Sequence, residues 1–186
     1  RVVREMVAAD PGDWFSRTVI GTGLQTITRH YRDHGFAHVD VTTQPDLDLD
    51  RKVVHITVSL RRGPPVHIER INIRGNSKTR DLVIRREINV VEGDLYSQTA
   101  IEEAKARIQA LGYFERVDTS EEEGSGPEAL VVNFEVEEKP TGQFQVGMGF
   151  SSLESFIFTL QMNQPNLLGR GHAFTAQLQL SGIRQL

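Results

Sequence analysis

Residues 93–101 read GDLYSQTAI, and residues 12–20 read GDWFSRTVI. Glycine, aspartate, an aromatic residue, serine, threonine and isoleucine recur in the same order, roughly 80 residues apart. A second related pair follows downstream, HGFA at residues 34–37 and LGYF at residues 111–114. Self-similarity at a fixed period indicates repeated modules, which usually work along a surface rather than around one buried active site.

The second repeat shows the complete pattern. Period-two alternation and helical apolar spacing predict a strand, a short helix, a long helix and two strands, at residues 67–74, 79–88, 97–111, 116–120 and 130–138. Ser97 or Thr99 is predicted to cap the long helix, and Gly112 to end it. An acidic turn is predicted over residues 121–127. The order β-α-α-β-β indicates an α+β class, an open sheet with two helices on one face.

The first repeat has the same order but lacks the opening strand. Its predicted elements are the end of a short helix, a long helix and two strands, at residues 1–7, 16–34, 38–43 and 53–60, with residues 45–48 as the turn between the strands. The Gly-Pro-Pro stretch at residues 63–65 is a short boundary. We therefore expect one domain over residues 1–65, lacking its first strand, and a second over residues 66–140.

From residue 141 the pattern changes to strands with one apolar and one polar face. The first of three such runs has an apolar face of Phe144, Val146, Met148 and Phe150, and two more follow at residues 156–163 and 174–181. Strands of a transmembrane β-barrel have this alternation, and so do strands of an antiparallel sheet with one buried face. A barrel needs about eight strands or more. We therefore expect residues 141–186 to be the first strands of a truncated barrel.

These residues resemble a known family. The β-α-α-β-β repeats, the stretch INIRGN at residues 71–76 and the helix end GYF at residues 112–114 resemble polypeptide-transport-associated (POTRA) domains. The stretches GQFQVGMGF at residues 142–150 and NLLGRG at residues 166–171 resemble the first barrel strand and the turn after the second strand in BamA-type outer-membrane insertases. The resemblance covers essentially the whole chain, as the penultimate and last POTRA domains and the start of the barrel.

The resemblance implies a function without enzymatic chemistry. Such a protein lies in the outer membrane with its POTRA domains in the periplasm, and promotes folding and insertion of unfolded barrel clients. Its implied partners are those clients, accessory lipoproteins of the BamD type at the last POTRA domain, and outer-membrane lipid. Arg80, Arg85 and Arg86 are candidates for such contacts, although a solvated helix face is the simpler interpretation.

Strand edges are the candidate binding sites, because their unpaired N–H and C=O groups can add an extended peptide. If the second strand of each domain is an edge, as in the family, two segments are candidates for client pairing: Val39, Asp40, Val41 and Thr42, and Arg116, Val117, Asp118 and Thr119. The alternative is that these short, charged edges prevent pairing. The first barrel strand is a candidate lateral seam that opens to an incoming strand, with residues Phe144, Val146, Gly147, Met148, Gly149 and Phe150.

Composition excludes several other functions. The net charge of −4 argues against nucleic acid as a partner, and the absence of cysteine excludes thiol nucleophiles, cysteine-based zinc sites and disulfides. His30 and His34 share a helix face, but Tyr31 stands where a zinc protease has its glutamate. We expect no metal, no cofactor and no catalytic site.

Two other functions remain open at this point. A barrel transporter of a related secretion or translocation system would share the same beginning. A POTRA-containing scaffold of the envelope or of cell division would instead have a single transmembrane helix before the module, and no barrel pattern after it. The alternating runs beyond residue 141 count against the scaffold.

Overall fold

The computed structural model describes residues 6–7, 10–150 and 154–183. Most of the helix end predicted at residues 1–7 lies outside this range. The chain divides into two compact units, the first made of Arg1–Asn72, Asn89–Ala104 and Ser120–Asn133, and the second of Ile73–Ile88, Lys105–Thr119 and Phe134–Leu186.

The first repeat consists of helix α1 (Arg17–Arg32) and the antiparallel strands β1 (Asp40–Asp48) and β2 (Val53–Arg61). Ser16 caps α1, because its hydroxyl accepts the Val19 N–H at 3.4 Å, and basic residues fill the last turn, as the helix dipole favours. The sheet holds β1 and β2 alone among the described strands.

The second repeat contains strand β3 (His67–Arg74), helices α2 (Asp81–Arg85) and α3 (Gln98–Ala110), and strands β4 (Phe114–Glu123) and β5 (Ala129–Glu138). The strands form a sheet in the order β3-β5-β4, so the last strand of the repeat is the central one. Ser97 caps α3 by accepting the Ala100 N–H at 3.2 Å. The β-α-α-β-β order predicted for this repeat is confirmed.

The C-terminal strands are β6 (Gln143–Gly149), β7 (Glu154–Leu167) and β8 (His172–Ile183), paired antiparallel in that order. In six consecutive rows, the register aligns apolar with apolar side chains and polar residues or glycine with polar ones across all three strands. One face carries the rows Phe144–Met162–Ala176, Val146–Leu160–Leu178 and Met148–Phe158–Leu180; the other carries Gln143–Asn163–Thr175, Gln145–Gln161–Gln177 and Gly147–Thr159–Gln179.

Two predicted turns begin too early in the chain, since the turns lie at residues 49–52 and 124–128. Strand β1 continues through Pro45 to Asp48, and Pro45 pairs with Ile56. Proline is tolerated there because β1 is an edge strand, whose outer side needs no ladder hydrogen bond. Likewise β4 continues through Glu123, and Glu121 accepts the Tyr96 hydroxyl at 2.6 Å instead of lying in a solvated turn.

The buried side chains are distributed unequally between the repeats. Among the described residues, the buried apolar side chains of the first repeat are Ile27, Ala37 and Val39. Those of the second repeat are far more numerous and include Tyr96, Ile101, Phe114, Val132 and Phe134. The second repeat therefore carries most of the described hydrophobic core.

Candidate functional site: the strand edges

The first predicted edge segment begins just before β1. Val39 precedes the strand and is buried, whereas Asp40, Val41 and Thr42 lie in β1 and pair with Arg61, Leu60 and Ser59 of β2. Among the described strands, β2 is the single neighbour of β1. Asp40 also forms an ion pair with Arg61 at 3.2 Å, but both side chains are exposed, so this pair adds little stability.

The second predicted edge segment lies in β4, at the end of the order β3-β5-β4. Val117 is buried, whereas the Arg116 side chain is exposed and its Nε lies 2.8 Å from a carboxylate oxygen of Asp118. Lys105 of α3 lies 3.6 Å from the other oxygen of the same carboxylate. Arg116 and Asp118 are thus paired within the molecule, and Val117 is part of the core rather than of an accessible surface.

The sequence did not predict a third edge, along β2. An open groove of about 1170 Å³ lies beside this strand, lined by Val54, Ile56 and Val58 and by α1 residues that include Ile20 and Leu24. A signal for it was present in the sequence, because residues 1–16, which precede α1, include no counterpart of β3. The chemistry of the groove is mostly apolar, with Trp14 and Phe15 exposed at its margin.

The second repeat shows what occupies the equivalent position there. Its opening strand β3 is hydrogen-bonded to the loop that begins the nine-residue repeat: Ile68 N–H donates to Asp94 O at 2.9 Å, and Gly93 N–H donates to Ile68 O at 2.7 Å. Tyr96 N–H donates to Val66 O at 2.9 Å. Tyr96 is fully buried, whereas its counterpart Phe15 is 50% exposed.

Strand β6, the predicted seam, is also an edge strand. Within the order β6-β7-β8, β6 has β7 as its single neighbour among the described strands. Phe144, Val146 and Met148 are exposed on one face of β6. Phe150, predicted as part of the same strand, lies one residue beyond its end and is also exposed.

A carboxylate from the first repeat caps the long helix of the second. Asp33 follows α1 directly, and its carboxylate accepts the Thr99 N–H at 2.8 Å, the Thr99 hydroxyl at 2.7 Å and the Ser97 hydroxyl at 3.1 Å. A carboxylate at a helix N-terminus satisfies unpaired N–H groups and complements the helix dipole. Burial raises the pKa of Asp33, but the hydrogen bonds from Thr99 and Ser97 outweigh it and hold the pKa below its ordinary value.

Neighbouring contacts reinforce this junction. Gly35 O accepts the Val66 N–H at 2.7 Å, so the backbone between the repeats is itself hydrogen-bonded. Arg32 donates to the Gln98 side chain at 3.3 Å, and Arg29 lies 3.3 Å from Glu102. The sequence did not predict this junction, because no local pattern indicates that Asp33 faces Thr99.

The predicted histidine pair has a local explanation. His34 Nδ1 lies 2.7 Å from His30 O, and the two rings are 4.4 Å apart. In the described part of the chain, no group of three or more histidine, cysteine, aspartate or glutamate side chains is placed to hold a metal ion. None of the helices described is long and apolar enough to cross a membrane.

Comparison with known families places these repeats. The model of the POTRA family, described as a surface antigen variable number repeat, matches residues 1–63 and 66–139. The chain belongs to the POTRA family. The two matched segments cover most of the chain and correspond to the two repeats.

Relatives extend the similarity beyond the POTRA repeats. The chain is 27% identical over 171 residues to the outer membrane protein assembly factor BamA of Nitratidesulfovibrio vulgaris, which covers 92% of this chain and 22% of that protein. It is 31% identical over 152 residues to BamA of Neorickettsia risticii, covering 82% of this chain and 20% of the relative. The chain thus spans about a fifth of the length of these relatives.

Solved structures show the same fold. The crystal structure of Haemophilus ducreyi BamA lacking POTRA domains 1–3 matches 97% of this chain and 34% of that one, with a TM-score of 0.84 and 22% identity. CdiB from Acinetobacter baumannii matches 97% of this chain and 34% of its own, with a TM-score of 0.50 and 11% identity. The POTRA repeats and the strands after them therefore occur together in solved proteins.

Proposed function

We propose that this chain is the membrane-proximal part of an outer-membrane protein assembly factor. The two POTRA repeats lie in the periplasm, and β6–β8 begin a barrel in the outer membrane. The observation that carries this proposal is the succession of two POTRA repeats and a sheet whose apolar rows occupy one face. Such a sheet suits a barrel wall, with one face toward lipid and the other toward the lumen. The names of the relatives support the same function.

The mechanism proposed is strand addition rather than catalysis. An unfolded barrel client arrives as an extended chain with unpaired backbone groups, and an edge strand offers complementary N–H and C=O groups. Backbone pairing reads little sequence, so one edge can serve clients of many sequences. Asp40, Val41 and Thr42 of β1 and Asp118 and Thr119 of β4 lie in strands that have one described neighbour each.

Burial divides the predicted residues into two groups. Val39 and Val117 are buried, so their side chains hold the edges in place from inside. Thr42 and Arg116 are exposed, and a client would meet these side chains first. Arg116 and Asp118 are paired with each other, so a charged group of a client would have to compete with this internal ion pair.

Strand β6 is proposed as the seam at which the client joins the barrel. Its outer side has no partner among the described strands, and its apolar side chains are exposed, which supports contact with lipid. Gly147 and Gly149 have no side chain to pack, which weakens the packing of β6 against β7. An incoming strand that pairs with β6 would continue the apolar rows across the new junction.

Accessory lipoproteins at the second repeat are also part of the proposal. Of the arginines predicted to contact them, Arg85 is paired with Asp81 at 2.9 Å and Arg86 with Glu87 at 3.2 Å. Both pairs are partly exposed, and a partner's carboxylate would compete with them. Outer-membrane lipid is the proposed environment of β6–β8.

A crosslinking experiment tests strand addition. Cysteine at Thr42 or Thr119, in the full-length protein that carries this chain, is expected to form disulfides with cysteines spaced along an unfolded barrel client during assembly into lipid vesicles. Cysteine at the buried Val117 is the matched control in β4 and is expected to remain unlinked. Equal crosslinking at Thr119 and Val117, or no crosslink at either threonine, would remove this mechanism.

The related barrel transporter remains the second candidate, because the fold is shared with CdiB. The two functions differ in the range of clients. An assembly factor reconstituted in vesicles inserts barrel proteins of unrelated sequence, whereas a transporter moves one cognate partner. Activity toward a single cognate protein, with no insertion of several unrelated barrel proteins, would favour the transporter.

A further inference from the structure

The turn between β7 and β8 is seated against the loop that follows β3. We define the β7–β8 turn as residues 166–171, which include the last two residues of β7, and the loop as residues 75–80. Asn166 Nδ2 donates to the Thr79 hydroxyl at 2.9 Å, and Arg80 N–H donates to Gly169 O at 2.9 Å. The side chains of Asn166 and Thr79 are both buried, at 8% and 3% exposure. A buried hydrogen bond between two polar side chains is costly to break, because each partner is left unpaired away from water.

The turn fits the loop too closely to admit a side chain at Gly169. Gly169 has φ of +68°, and a Cβ added there would overlap the carbonyl oxygen of Lys78. Gly171 has φ of +70°, and a Cβ there would lie 2.8 Å from the Arg86 guanidinium and 3.1 Å from Val83. Both glycines therefore suit the positive φ of the turn, and Gly169 is also needed for the contact of the turn with the backbone of the loop.

The loop that receives the turn is itself held in one conformation. The carboxylate of Glu138, at the end of β5, accepts the Thr79 N–H at 2.6 Å, the Lys78 N–H at 2.9 Å and the Ser77 hydroxyl at 2.8 Å. Burial raises the pKa of Glu138, but the hydrogen bonds from Thr79, Ser77 and Lys78 outweigh it and lower the pKa. Glu138 thus holds the backbone of the residue whose hydroxyl accepts the hydrogen bond from Asn166.

A second attachment runs beside the first. Tyr113 donates its hydroxyl to Pro165 O at 3.3 Å, and its own carbonyl oxygen accepts the Lys139 N–H at 3.0 Å. Gln164 Nε2 donates to the Thr141 hydroxyl at 2.9 Å, which ties β7 to the segment leading into β6. The segment before β6 and the turn after β7 are therefore both anchored. Two attachments restrict the rotation of β6 and β7 more than one attachment would.

We propose that Thr79 and Asn166 are positioning residues that, with Gly169, lock the β7–β8 turn to the loop after β3 and so set the direction in which β6 presents its outer edge. The consequence for client insertion rests on the function proposed above. The lock itself stands on the contacts alone. It acts at a distance from the edge, since none of these three residues belongs to β6.

The first test measures the lock without reference to clients. In the full-length protein folded in lipid vesicles, hydrogen exchange is followed in peptides covering residues 75–86 and 166–171. The variants Thr79→Val and Gly169→Ala are expected to accelerate exchange in both segments by about tenfold, the equivalent of one buried hydrogen bond. Thr79→Ser keeps the hydroxyl and is expected to match the wild type. Unchanged exchange in Thr79→Val, or accelerated exchange in Thr79→Ser, overturns the lock.

Matched controls separate the lock from general weakening. Gly126→Ala places a Cβ in open space, and Thr175→Val removes an exposed hydroxyl that donates to Asn163 at 3.1 Å. Both variants are expected to leave exchange in the two segments unchanged. If either control accelerates exchange as much as Thr79→Val does, the effect is not specific to the lock and the proposal fails.

The second test measures client insertion in the same vesicles. Thr79→Val and Asn166→Ala are expected to slow insertion of an unfolded barrel protein several-fold while binding of the client stays at its wild-type level. Faster exchange with undiminished insertion would overturn the positioning role. If the wild type itself inserts no client, the proposed function fails, and the exchange measurement still decides whether the lock exists.

Discussion

The two repeats begin their long helices with nearly the same nine residues, yet those residues have different surroundings. In the second repeat Tyr96 is fully buried and its loop is hydrogen-bonded to β3. In the first repeat the counterpart Phe15 is half exposed beside an open groove. The repeated motif therefore specifies a helix start by itself. It becomes part of a hydrophobic core when a strand lies across it.

The aromatic pair should show the largest difference between the repeats. Tyr96→Ala removes a fully buried ring and is expected to cost about 3–5 kcal/mol, whereas Phe15→Ala is expected to cost about 1 kcal/mol or less. Amide hydrogen exchange in α3 and in α1 reports the two losses separately. Similar losses at the two positions would show that the groove beside Phe15 is as well packed as the core around Tyr96.

A conservative variant separates the ring from its hydroxyl. Burial and the hydrogen bond to Glu121 raise the pKa of Tyr96, so the phenol stays a proton donor at neutral pH. Tyr96→Phe keeps the ring and removes this donor, with an expected cost of about 1–2 kcal/mol. A loss as large as that of Tyr96→Ala would assign the effect to the hydrogen bond rather than to packing.

The Asp33 cap should show an intermediate effect. Asp33→Ala removes the acceptor for Thr99 and Ser97 at the start of α3, with an expected cost of about 1–2 kcal/mol. Exchange of the Thr99 amide is the direct measurement. Asp13→Ala is the control, because Asp13 caps no helix and accepts a hydrogen bond from Asp10 at the exposed start of the chain.

The same cap predicts a dependence on pH. The folded-state pKa of Asp33 is lowered, so its contribution is complete above the ordinary value of about 4 and is lost as the pH falls through the lowered pKa. Exchange of the Thr99 amide, corrected for its intrinsic pH dependence, is therefore expected to accelerate below about pH 4 in the wild type. Acceleration of the same size in Asp33→Ala would assign the pH dependence to another group.

The two capping serines should show the smallest difference. Ser97 accepts the Ala100 N–H at 3.2 Å and also donates to Asp33, whereas Ser16 accepts the Val19 N–H at 3.4 Å. We expect Ser97→Ala to cost about 1 kcal/mol and Ser16→Ala about half as much. The measurement is thermal unfolding, monitored by amide hydrogen exchange in each helix. A larger loss of stability at Ser16 than at Ser97 would contradict the role assigned to Asp33, because Ser97 is the serine that donates to that carboxylate.

Local patterns in the sequence predicted much of this fold. Alternation located the strands, and the register of β6–β8 brings the predicted apolar face together. The limits of the strands were less accurate. Pro45 and Glu121 carry turn and solvent signals, but an edge position accommodates the proline and a buried tyrosine binds the glutamate.

The contacts that join distant segments were not predictable. Asp33 to Thr99, Glu138 to Thr79 and Asn166 to Thr79 connect common polar residues far apart in sequence. Nothing in the local pattern distinguishes such residues from solvated ones, because their role depends on what the folded chain places opposite them. The candidate edges were predictable as strands; that Val117 of β4 is buried was not.

The matched rows of β6, β7 and β8 restrict how these strands can move. Strand side chains alternate between faces, so sliding β7 by one residue would bring Gln161 and Thr159 among the apolar rows. In hydrocarbon each misplaced polar side chain would cost several kcal/mol. The summed cost of a few such side chains would be roughly equal to the free energy of unfolding of a small domain. If β6–β8 lie in the outer membrane as proposed, the bilayer itself holds the three strands to a single alignment, and a client strand that joins at β6 would have to match that alignment residue by residue.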